Sequence, residues 1–355
     1  MIVKIDGIQI SDFTVNDITF NYDAVSDTFS LTTPYQEWWE KDRKMFKPLK
    51  YPVVEIFDNN KRKLLTGLLI NSSFKCSANA SELSVSGYSI TGVLDDCPDV
   101  SNSIINENPS TCYTGMTLRQ FTESLVKPFG IEVLVDELVK DRMDEVYEQV
   151  TTEEGSSIAS QLAKLATLKN VVMRATADGR LRFTQINTKL KPVAKFSTGD
   201  GVVNEISLQV NGQSMHSVIN VIGAMDIIEN PDEDMEKSGN AQSISNPLVK
   251  MFRPAMVKQG TENNALKEVT KAALADELKN ISITIDCRGW KIIDDNILLP
   301  GDLITVKAPG VYLYNWTTLL VRSVKLKEDS NSKSSSIICV LPQTMTGEVP
   351  ELIFD

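Results

Sequence analysis

Alternating apolar and polar positions run through most of the first hundred residues. Alternation with a period of two is typical of strands that bury one face, and turn residues such as Gly7 separate the runs. The predicted strands are Ile2–Ile10, Phe13–Tyr22, Thr28–Thr32, Val53–Phe57, Leu64–Ile70 and Glu82–Tyr88. Strands this short and closely spaced predict a small β-barrel or β-sandwich.

The spacing of apolar residues becomes helical in the stretch TLRQFTESLVK. Apolar positions recur there every three or four residues, and Thr117 and Gln120 are placed as a capping box. Further along, the pattern predicts a strand in PFGIEVLVD, a helix in SSIASQLAKLATLKN, and a hairpin in VVMRATADGRLRFTQI that turns at Asp178-Gly179. Together these elements predict a separate α+β unit.

Strands resume at Val202–Val210 and Ser217–Ile222 and are followed by an acidic stretch rich in Asn, Ser and Pro. The composition of residues 227–246 predicts an exposed, mobile loop. A third helix is predicted in ENNALKEVTKAALADELKN, with Thr261 as its N-cap, before the alternating strand ISITID. Closing strands are predicted in LPGDLITVKAP, TTLLVRSVKL and SSIICVLP.

The closing strands repeat the opening ones. Leu64-Leu65 align with Leu319-Leu320 at an offset of 255 residues (319 minus 64), and the same offset places Val85 on Val340. Any two hairpins can share such a pattern over ~25 residues, so the match alone is weak. It suggests two related β-domains that flank the α+β unit.

Composition and charge restrict the class of protein. The 355 residues are 42% hydrophobic and 23% charged, which is typical of a folded protein of roughly two to three domains. The N-terminus lacks the features of a secretory signal and no apolar run is long enough to span a bilayer, so we expect maturation in a cytoplasm. A net charge of −11 disfavours a DNA-reading role, because phosphate binding needs clustered Lys and Arg.

The cysteines predict buried free thiols. The five residues are widely spread and form no C-x-x-C pair: Cys76, Cys97, Cys112, Cys287 and Cys339.

One stretch, GYSITGVLDDCPDV at Gly87–Val100, is close to two catalytic motifs. A nucleophile elbow has one residue between serine and the second glycine, whereas GYSITG has two. A phosphate loop needs Lys and then Ser or Thr where Val93 and Leu94 stand. We therefore expect Gly87–Gly92 to end the last strand of the first β-domain and Asp95–Pro98 to begin the link to the next.

Other candidates for chemistry are weak. His216 is the only histidine, which disfavours a serine mechanism and, with scattered cysteines, a Cys/His metal site. Two acids can hydrolyse a glycosidic bond, and the candidate pairs are Glu37 with Glu40, Asp95 with Asp96, and Asp294 with Asp295. Trp38 and Trp39 fit a carbohydrate-stacking platform or a connection anchored by aromatics. We assign no catalytic, cofactor-binding or metal-binding residue.

Several blocks, in order along nearly the whole chain, carry a family resemblance. They are GYSITGVLDDC, LVKPFGIEV, SSIASQLAKLATLKNVVMRATADGRLRF, NEISLQVNGQSMHSVINVIG, the segment from MFRPAMV to RGW, and LLPGDLITVKAP with LLVRSVKL. The ordered set resembles the baseplate hub protein of contractile-tailed phages, most closely the Mu-like tail protein P, or 43 kDa tail protein. The T-even phage hub and the base of type VI secretion spikes are more distant relatives.

The resemblance implies an α+β, mainly β fold with two related β-barrel tube domains. The first tube domain would span residues 1–97 and an α+β domain residues 98–199. The second tube domain would be split into 200–225 and 292–345, around an inserted segment at 226–291 that holds the acidic loop and a helix. Residues 346–355 would form a C-terminal tail.

The resemblance also implies a structural protein of the virion, with no enzymatic activity and no cofactor. Three copies would form a pseudo-sixfold ring that joins the hexameric tail tube above to the central spike below, beside other baseplate proteins. DNA would pass through without specific binding, repelled by carboxylates that line the bore, and the protein would not enter a membrane. Assembly would take place in the host cytoplasm.

The alternative is a glycan-directed protein, either a peptidoglycan hydrolase or a carbohydrate-binding module. It would use Trp38 and Trp39 as its stacking surface.

Overall fold

The computed structural model describes residues 1–35, 39–77, 81–99, 112–151, 155–223, 241–258, 266–293, 296–328 and 332–354. The fold is mainly β, as expected, and one sheet of thirteen strands forms most of it. Four smaller sheets and several helices complete the described part of the chain.

The N-terminal part forms seven strands, close to the predicted positions. They are β1 Ile2–Ile5, β2 Ile8–Ile10, β3 Thr14–Asn21, β4 Thr28–Pro34, β5 Val53–Phe57, β6 Lys63–Cys76 and β7 Ser81–Ser89, with helix α1 Glu40–Met45 between β4 and β5. The predicted strand Ile2–Ile10 is a hairpin because Gly7 turns the chain with φ +78°. Strand β6 continues six residues beyond its predicted end at Ile70.

The middle part forms the α+β unit, with a core of its own. Its elements are α2 Val93–Asp96, β8 Cys112–Thr117, α3 Leu118–Val126, β9 Val133–Val135, α4 Lys140–Asp144, β10 Val146–Thr151, α5 Ile158–Leu168, β11 Val172–Ala175 and β12 Leu181–Thr184. The predicted capping box of α3 is confirmed, since Thr117 and Gln120 exchange side-chain and backbone hydrogen bonds of 3.1 Å. The hairpin β11–β12 is also confirmed. Leu118, Phe121 and Phe183 pack together in the core of this unit.

The C-terminal part returns to the large sheet. Its elements are β13 Ala194–Ser197, β14 Val203–Val210, β15 Val218–Ile222, β16 Ala241–Ser245, β17 Pro254–Lys258, α6 Leu266–Leu278, β18 Ile281–Arg288, β19 Lys291–Ile293, β20 Asn296–Ile297, β21 Leu303–Ala308, β22 Leu313–Glu328, β23 Lys333–Val340 and α7 Gln343–Thr346. Helix α6 packs on β15 and β16, and Leu274 joins the core of the large sheet. Thr261, the expected N-cap of this helix, lies outside the described residues.

Three expectations about this part need correction. Ala241–Ser245 is a strand paired with β15, so the loop predicted for 227–246 does not extend over these residues. Strand β18 lies between β14 and β23 in the large sheet, although the resemblance implies that residues 226–291 are an insertion. The large sheet is open, with β14 at one end and β2 at the other, so neither expected barrel is closed in this chain.

The large sheet contains the same strand order twice. The first series is β3-β4-β7-β6-β5, the second is β14-β18-β23-β22-β21, and β22 pairs with β3 to join them. We call these series the first and second repeats. The sequence thus predicts the repetition correctly.

The offset between the repeats is 252 residues, and the expected value of 255 is wrong. The ladder of β6 and β7 shifts register between Leu69 and Asn71, and the ladder of β22 and β23 shifts between Val321 and Ser323 (321 minus 69). An error of three residues exchanges the two faces of a strand. At the offset of 252 residues Leu68 falls on Leu320 and Leu69 on Val321, so apolar pairs coincide in both registers and do not distinguish them.

Candidate assembly surface

The stretch GYSITG ends β7 and is a packed turn. Ser89 is buried, and its hydroxyl accepts a hydrogen bond of 3.0 Å from the backbone N–H of Asp27. The hydroxyl of Thr91, also buried, donates to the carbonyl of Val25. Both hydroxyls therefore serve to hold the loop before β4, which agrees with the expected structural role.

The glycines of this stretch are required by close packing. A Cβ on Gly87 would lie 1.9 Å from the carbonyl oxygen of Leu68, and one on Gly92 would lie 2.5 Å from the ring of Tyr88. Gly92 has φ −64°, so space and not backbone conformation demands glycine there.

The candidate carboxylates among the described residues, Glu40, Asp95 and Asp96, have separate structural partners or causes of perturbation. Asp96 accepts a hydrogen bond from the Tyr88 hydroxyl, while burial and then the neighbouring Asp96 raise the pKa of Asp95. Glu40 forms an exposed ion pair with Lys44 in α1. Glu37, Asp294 and Asp295 lie outside the described residues.

The remaining candidate residues have structural surroundings. Trp39 precedes α1 and is 53% exposed, whereas Trp38 lies outside the described residues. The Nδ1 of His216 lies 2.6 Å from the Glu277 carboxylate, whose other oxygen accepts the His216 backbone N–H, so this pair holds the C-terminal end of α6. Within the described ranges no three His, Cys, Asp or Glu side chains are placed to hold a metal ion. Of the described helices, none is long and apolar enough to cross a membrane.

The expectation that the cysteines are buried is wrong for Cys76 and Cys97. Cys287 and Cys339 lie in the core, and burial raises the pKa of both thiols, but Cys76 is exposed at the end of β6 and Cys97 is half-buried.

Asp27 is a buried acid that the sequence pattern does not indicate. Asp27 is 5% exposed, and burial raises its pKa to about 7. Its carboxylate accepts the backbone N–H of Asn21 at 2.8 Å. Nothing in the local pattern distinguishes this residue from other turn aspartates, because its burial depends on the packing of distant strands.

One face of the large sheet packs on the core, and the opposite face is polar. We call the opposite face the polar face. Cross-strand hydrogen bonds join its side chains, as from Asn16 to Ser30 at 3.3 Å and between Thr32 and Ser84 at 3.2 Å. Its hydroxyl and amide side chains, paired across the ladders of both repeats, include Thr19, Asn21, Thr28, Ser30, Asn71, Ser73, Ser84, Ser86, Ser207, Gln209, Ser282, Thr284, Ser323, Ser334 and Ser336.

The charged residues on the polar face have both signs. Asp17 is matched by Lys325 at 3.7 Å, and Lys75 lies directly opposite Glu82 in the ladder of β6 and β7. Glu205 and Asp286 lie opposite each other in the ladder of β14 and β18, and Lys327 lies two residues from Lys325 on the same face. The described part of the face is therefore rich in hydroxyls and carries charges of both signs, not the uniform run of carboxylates expected for a bore.

The junction between the repeats is the pair β3–β22. Ile18 lies opposite Leu326 and Phe20 opposite Val324, and all four side chains are buried on the core side. Arg322 forms a forked ion pair with Asp23, with Nε to Oδ1 and Nη2 to Oδ2 both at 3.0 Å. Antiparallel pairing, apolar packing and a bidentate ion pair together fix this junction.

Known proteins are similar to this chain in sequence over one segment and in fold over nearly its whole length. Residues 91–185 match the family model described as baseplate hub protein gp44-like, second domain. No curated protein matches the chain. Among solved structures, the 43 kDa tail protein of prophage MuSo2 from Shewanella oneidensis superposes with a TM-score of 0.78 at 19% identity, over 97% of this chain and 98% of that one.

Two further structures are similar over nearly the whole chain. The tail protein from Neisseria meningitidis MC58 has a TM-score of 0.75 at 17% identity, over 98% of both chains. The E. coli c3393 protein, a component of the type VI secretion system with structural similarity to the T4 tail proteins gp27 and gp5, has a TM-score of 0.57 at 10% identity, over 99% of this chain and 80% of that one. The chain thus has the fold of the prophage 43 kDa tail protein, and residues 91–185 are similar to the second domain of gp44-like baseplate hub proteins.

Proposed function

We propose that this protein is the baseplate hub of a contractile phage tail. Three copies form a ring in which each copy contributes two similar sheet units, so that the ring presents six units to a hexameric tail tube. The observation that carries this proposal is the tandem repeat of five strands, joined edge to edge by β3 and β22 in one continuous sheet.

The polar face of the sheet is proposed to line the bore. Short hydroxyl and amide side chains on this face bond to one another across the strands, as between Thr32 and Ser84. The Lys and Arg side chains of this face are interspersed with carboxylates, as Lys325 is beside Asp17, so DNA is proposed to pass without specific binding. The net charge of −11 adds a general repulsion, but the lining itself is proposed to be hydroxyl-rich and not acidic.

The proposed domain division follows the sheet. The first tube domain takes residues 1–97, the α+β domain 98–199, and the second tube domain 200–225 together with 281–345, because β18 pairs inside the second repeat. The inserted segment is then 226–280 and the C-terminal tail 346–355. In the ring, the open sheets of neighbouring copies together form the barrel that a single chain leaves open.

The proposed partners are the tail tube protein on one side of the ring and the central spike on the other, with other baseplate proteins around it. The resemblance to the E. coli type VI secretion component, which is itself similar to the T4 tail proteins gp27 and gp5, supports a place in such an assembly. The protein would be located in the virion after assembly in the host cytoplasm, as an assembly protein and not an enzyme.

Mass measurement and imaging test this proposal. Light scattering is expected to give a species near three times the chain mass of 39.4 kDa, and cryo-electron microscopy a ring with six similar units. If the protein is a monomer that cleaves or binds peptidoglycan, the hub proposal is wrong and the glycan-directed alternative is supported. A bore lined by clustered Lys and Arg would contradict passive passage of DNA.

A further inference from the structure

Among the unpaired strand edges of the large sheet in the described chain, two occupy equivalent positions to strands that pair inside the chain. β14 pairs with β18 on one side only. β6 pairs with β5 over Lys63–Leu68, but no described strand lies beside Asn71–Cys76 on that same side. Unpaired strand edges present rows of N–H and C=O groups that can pair with another chain.

In the second repeat, the edge that corresponds to the unpaired edge of β6 is paired with another strand. β22, the counterpart of β6, pairs with β21 over Leu313–Leu320 and with β3 over Ser323–Leu326. Both lie on the side away from β23, one beyond the other. In the first repeat β5 takes the place of β21, and the place of β3 is empty along β6 among the described residues.

β14 holds the same position in the second repeat as β3 holds in the first. In the first repeat, Ile18 lies opposite Phe29, and Phe29 lies opposite Gly87. In the second repeat, Leu208 lies opposite Ile283, and Ile283 lies opposite Cys339. Gly87 and Cys339 are equivalent at the offset of 252 residues, so Ile18 corresponds to Leu208. The free edge of β14 is therefore the counterpart of the edge that β3 uses to bind β22.

We propose that β14 of one copy pairs antiparallel with Asn71–Phe74 of the next copy, as β3 pairs with β22 within one chain. The equivalent register sets Asn71 opposite Asn211, Ser72 opposite Val210, Ser73 opposite Gln209, and Phe74 opposite Leu208. This inference rests on the ring proposed above, because each copy must use both edges to close it.

The exposure of the apolar side chains supports this register. Within the chain, the equivalent core-side residues Leu326, Val324, Ile18 and Phe20 are all buried. On the free edges Phe74 is 40% exposed and Val210 is 47% exposed. Apolar side chains exposed at the very positions that the internal junction buries are explained if a second copy covers them.

The other side of the proposed ladder is polar and uncharged. Asn71, Ser73, Gln209 and Asn211 belong to the polar face, where amide and hydroxyl groups can bond across the strands. No like charges would face each other in this register. The internal junction has in addition the Arg322–Asp23 pair, whose counterparts here are Ile70 and Gln213, so the contact between copies is expected to be the weaker of the two.

Disulfide trapping tests the pairing and its register. In a Cys76→Ser background, Ser73→Cys with Gln209→Cys places two thiols directly opposite each other on the solvent side of the ladder. Mild oxidation is expected to give a band of three chain masses in a gel without reductant, and to return to single chains on reduction. Light scattering of the unmodified protein is measured first.

Two matched pairs serve as controls. Thr19→Cys with Lys325→Cys occupies the same geometry inside one chain, so it should oxidise without any change in mass. Ser73→Cys with Leu208→Cys is shifted by one residue, which turns one thiol to the core face, and it should remain reduced. A trimer in solution that does not cross-link, although the internal control does, overturns the pairing and leaves the hub proposal intact.

A surface substitution gives a second measure. Val210→Lys is expected to weaken trimer association at least about tenfold in dilution experiments, because it removes an apolar contact and buries a charge. Val202→Lys, at a residue of similar exposure (41%) before the start of β14, is the control and should leave association unchanged. Equal association of both variants would refute the interface, whereas a protein that is monomeric before any substitution would refute the ring itself.

Discussion

Gly92→Val is expected to destabilise the end of the first repeat. Gly92 already has helical φ, so an added side chain meets no backbone strain, but its Cβ would lie 2.5 Å from the ring of Tyr88. That ring cannot simply turn away, because its hydroxyl donates to Asp96. The cost therefore combines overpacking with the loss of this hydrogen bond.

The magnitude follows from these contacts. Overpacking at the clash costs about 3 kcal/mol, and the half-exposed tyrosine bond adds about 1 kcal/mol. Removal of glycine from a helical turn offsets about 1 kcal/mol, which leaves a net loss of about 3 kcal/mol. An unfolding entropy of about 2.1 cal/mol/K per residue converts this loss, for a chain that melts as a unit, into a fall in Tm of about 4 °C.

Differential scanning calorimetry measures the change directly. Gly212→Val is the control, since a Cβ at Gly212 meets no atom within 4 Å. Adding Tyr88→Ala to Gly92→Val should remove the clash, so the double variant should be more stable than the sum of the single losses predicts. If Gly92→Val melts no lower than Gly212→Val, the packing argument for this turn is wrong.

Three further outcomes are expected. Ser89→Ala should cost about 1–2 kcal/mol in urea unfolding, because it leaves the buried N–H of Asp27 without a partner, while the mass by light scattering stays that of the unmodified protein. Burial raises the pKa of Asp27 to about 7 from its ordinary 3.8, so ionisation of this carboxyl lowers the free energy of unfolding as pH rises from about 4 to 7. Asp27→Asn should therefore have a higher Tm than the unmodified protein at pH 8 and not at pH 4. Arg322→Met should cost about 1–2 kcal/mol by breaking the forked pair across the repeats, and Lys44→Met in an exposed pair about 0–0.5 kcal/mol, both by urea unfolding. A pH-independent Asp27→Asn difference, or equal losses for the two methionine variants, would contradict the assigned roles.

Local signals in the sequence suffice for elements that depend on local contacts. The capping box and apolar spacing of α3 predict the helix correctly, because its first turn is satisfied by Thr117 and Gln120 themselves. Strand β5 likewise has its predicted bounds, since its alternation is complete within five residues. The helix–hairpin of the α+β unit is predicted for the same reason.

Elements that depend on distant partners are not visible in the pattern. The extension of β6 through Asn71–Cys76 is polar on one face and carries one exposed aromatic, so only pairing with β7 makes it a strand. Strand β16 forms because β15 provides a ladder for it. The polar face was similarly missed: alternating serines and threonines are visible in single strands, but their common face depends on strand order.

The junction between β3 and β22 changes the thermodynamics of making a ring. Because both repeats lie on one chain, this contact forms at an effective concentration set by the intervening segments and not by the amount of free protein. The proposed ring of six units would then cost the translational and rotational freedom of three bodies instead of six. Covalent linkage would also let the two kinds of junction differ, because the Arg322–Asp23 pair holds the repeats together within each chain whatever the strength of the proposed contact between chains.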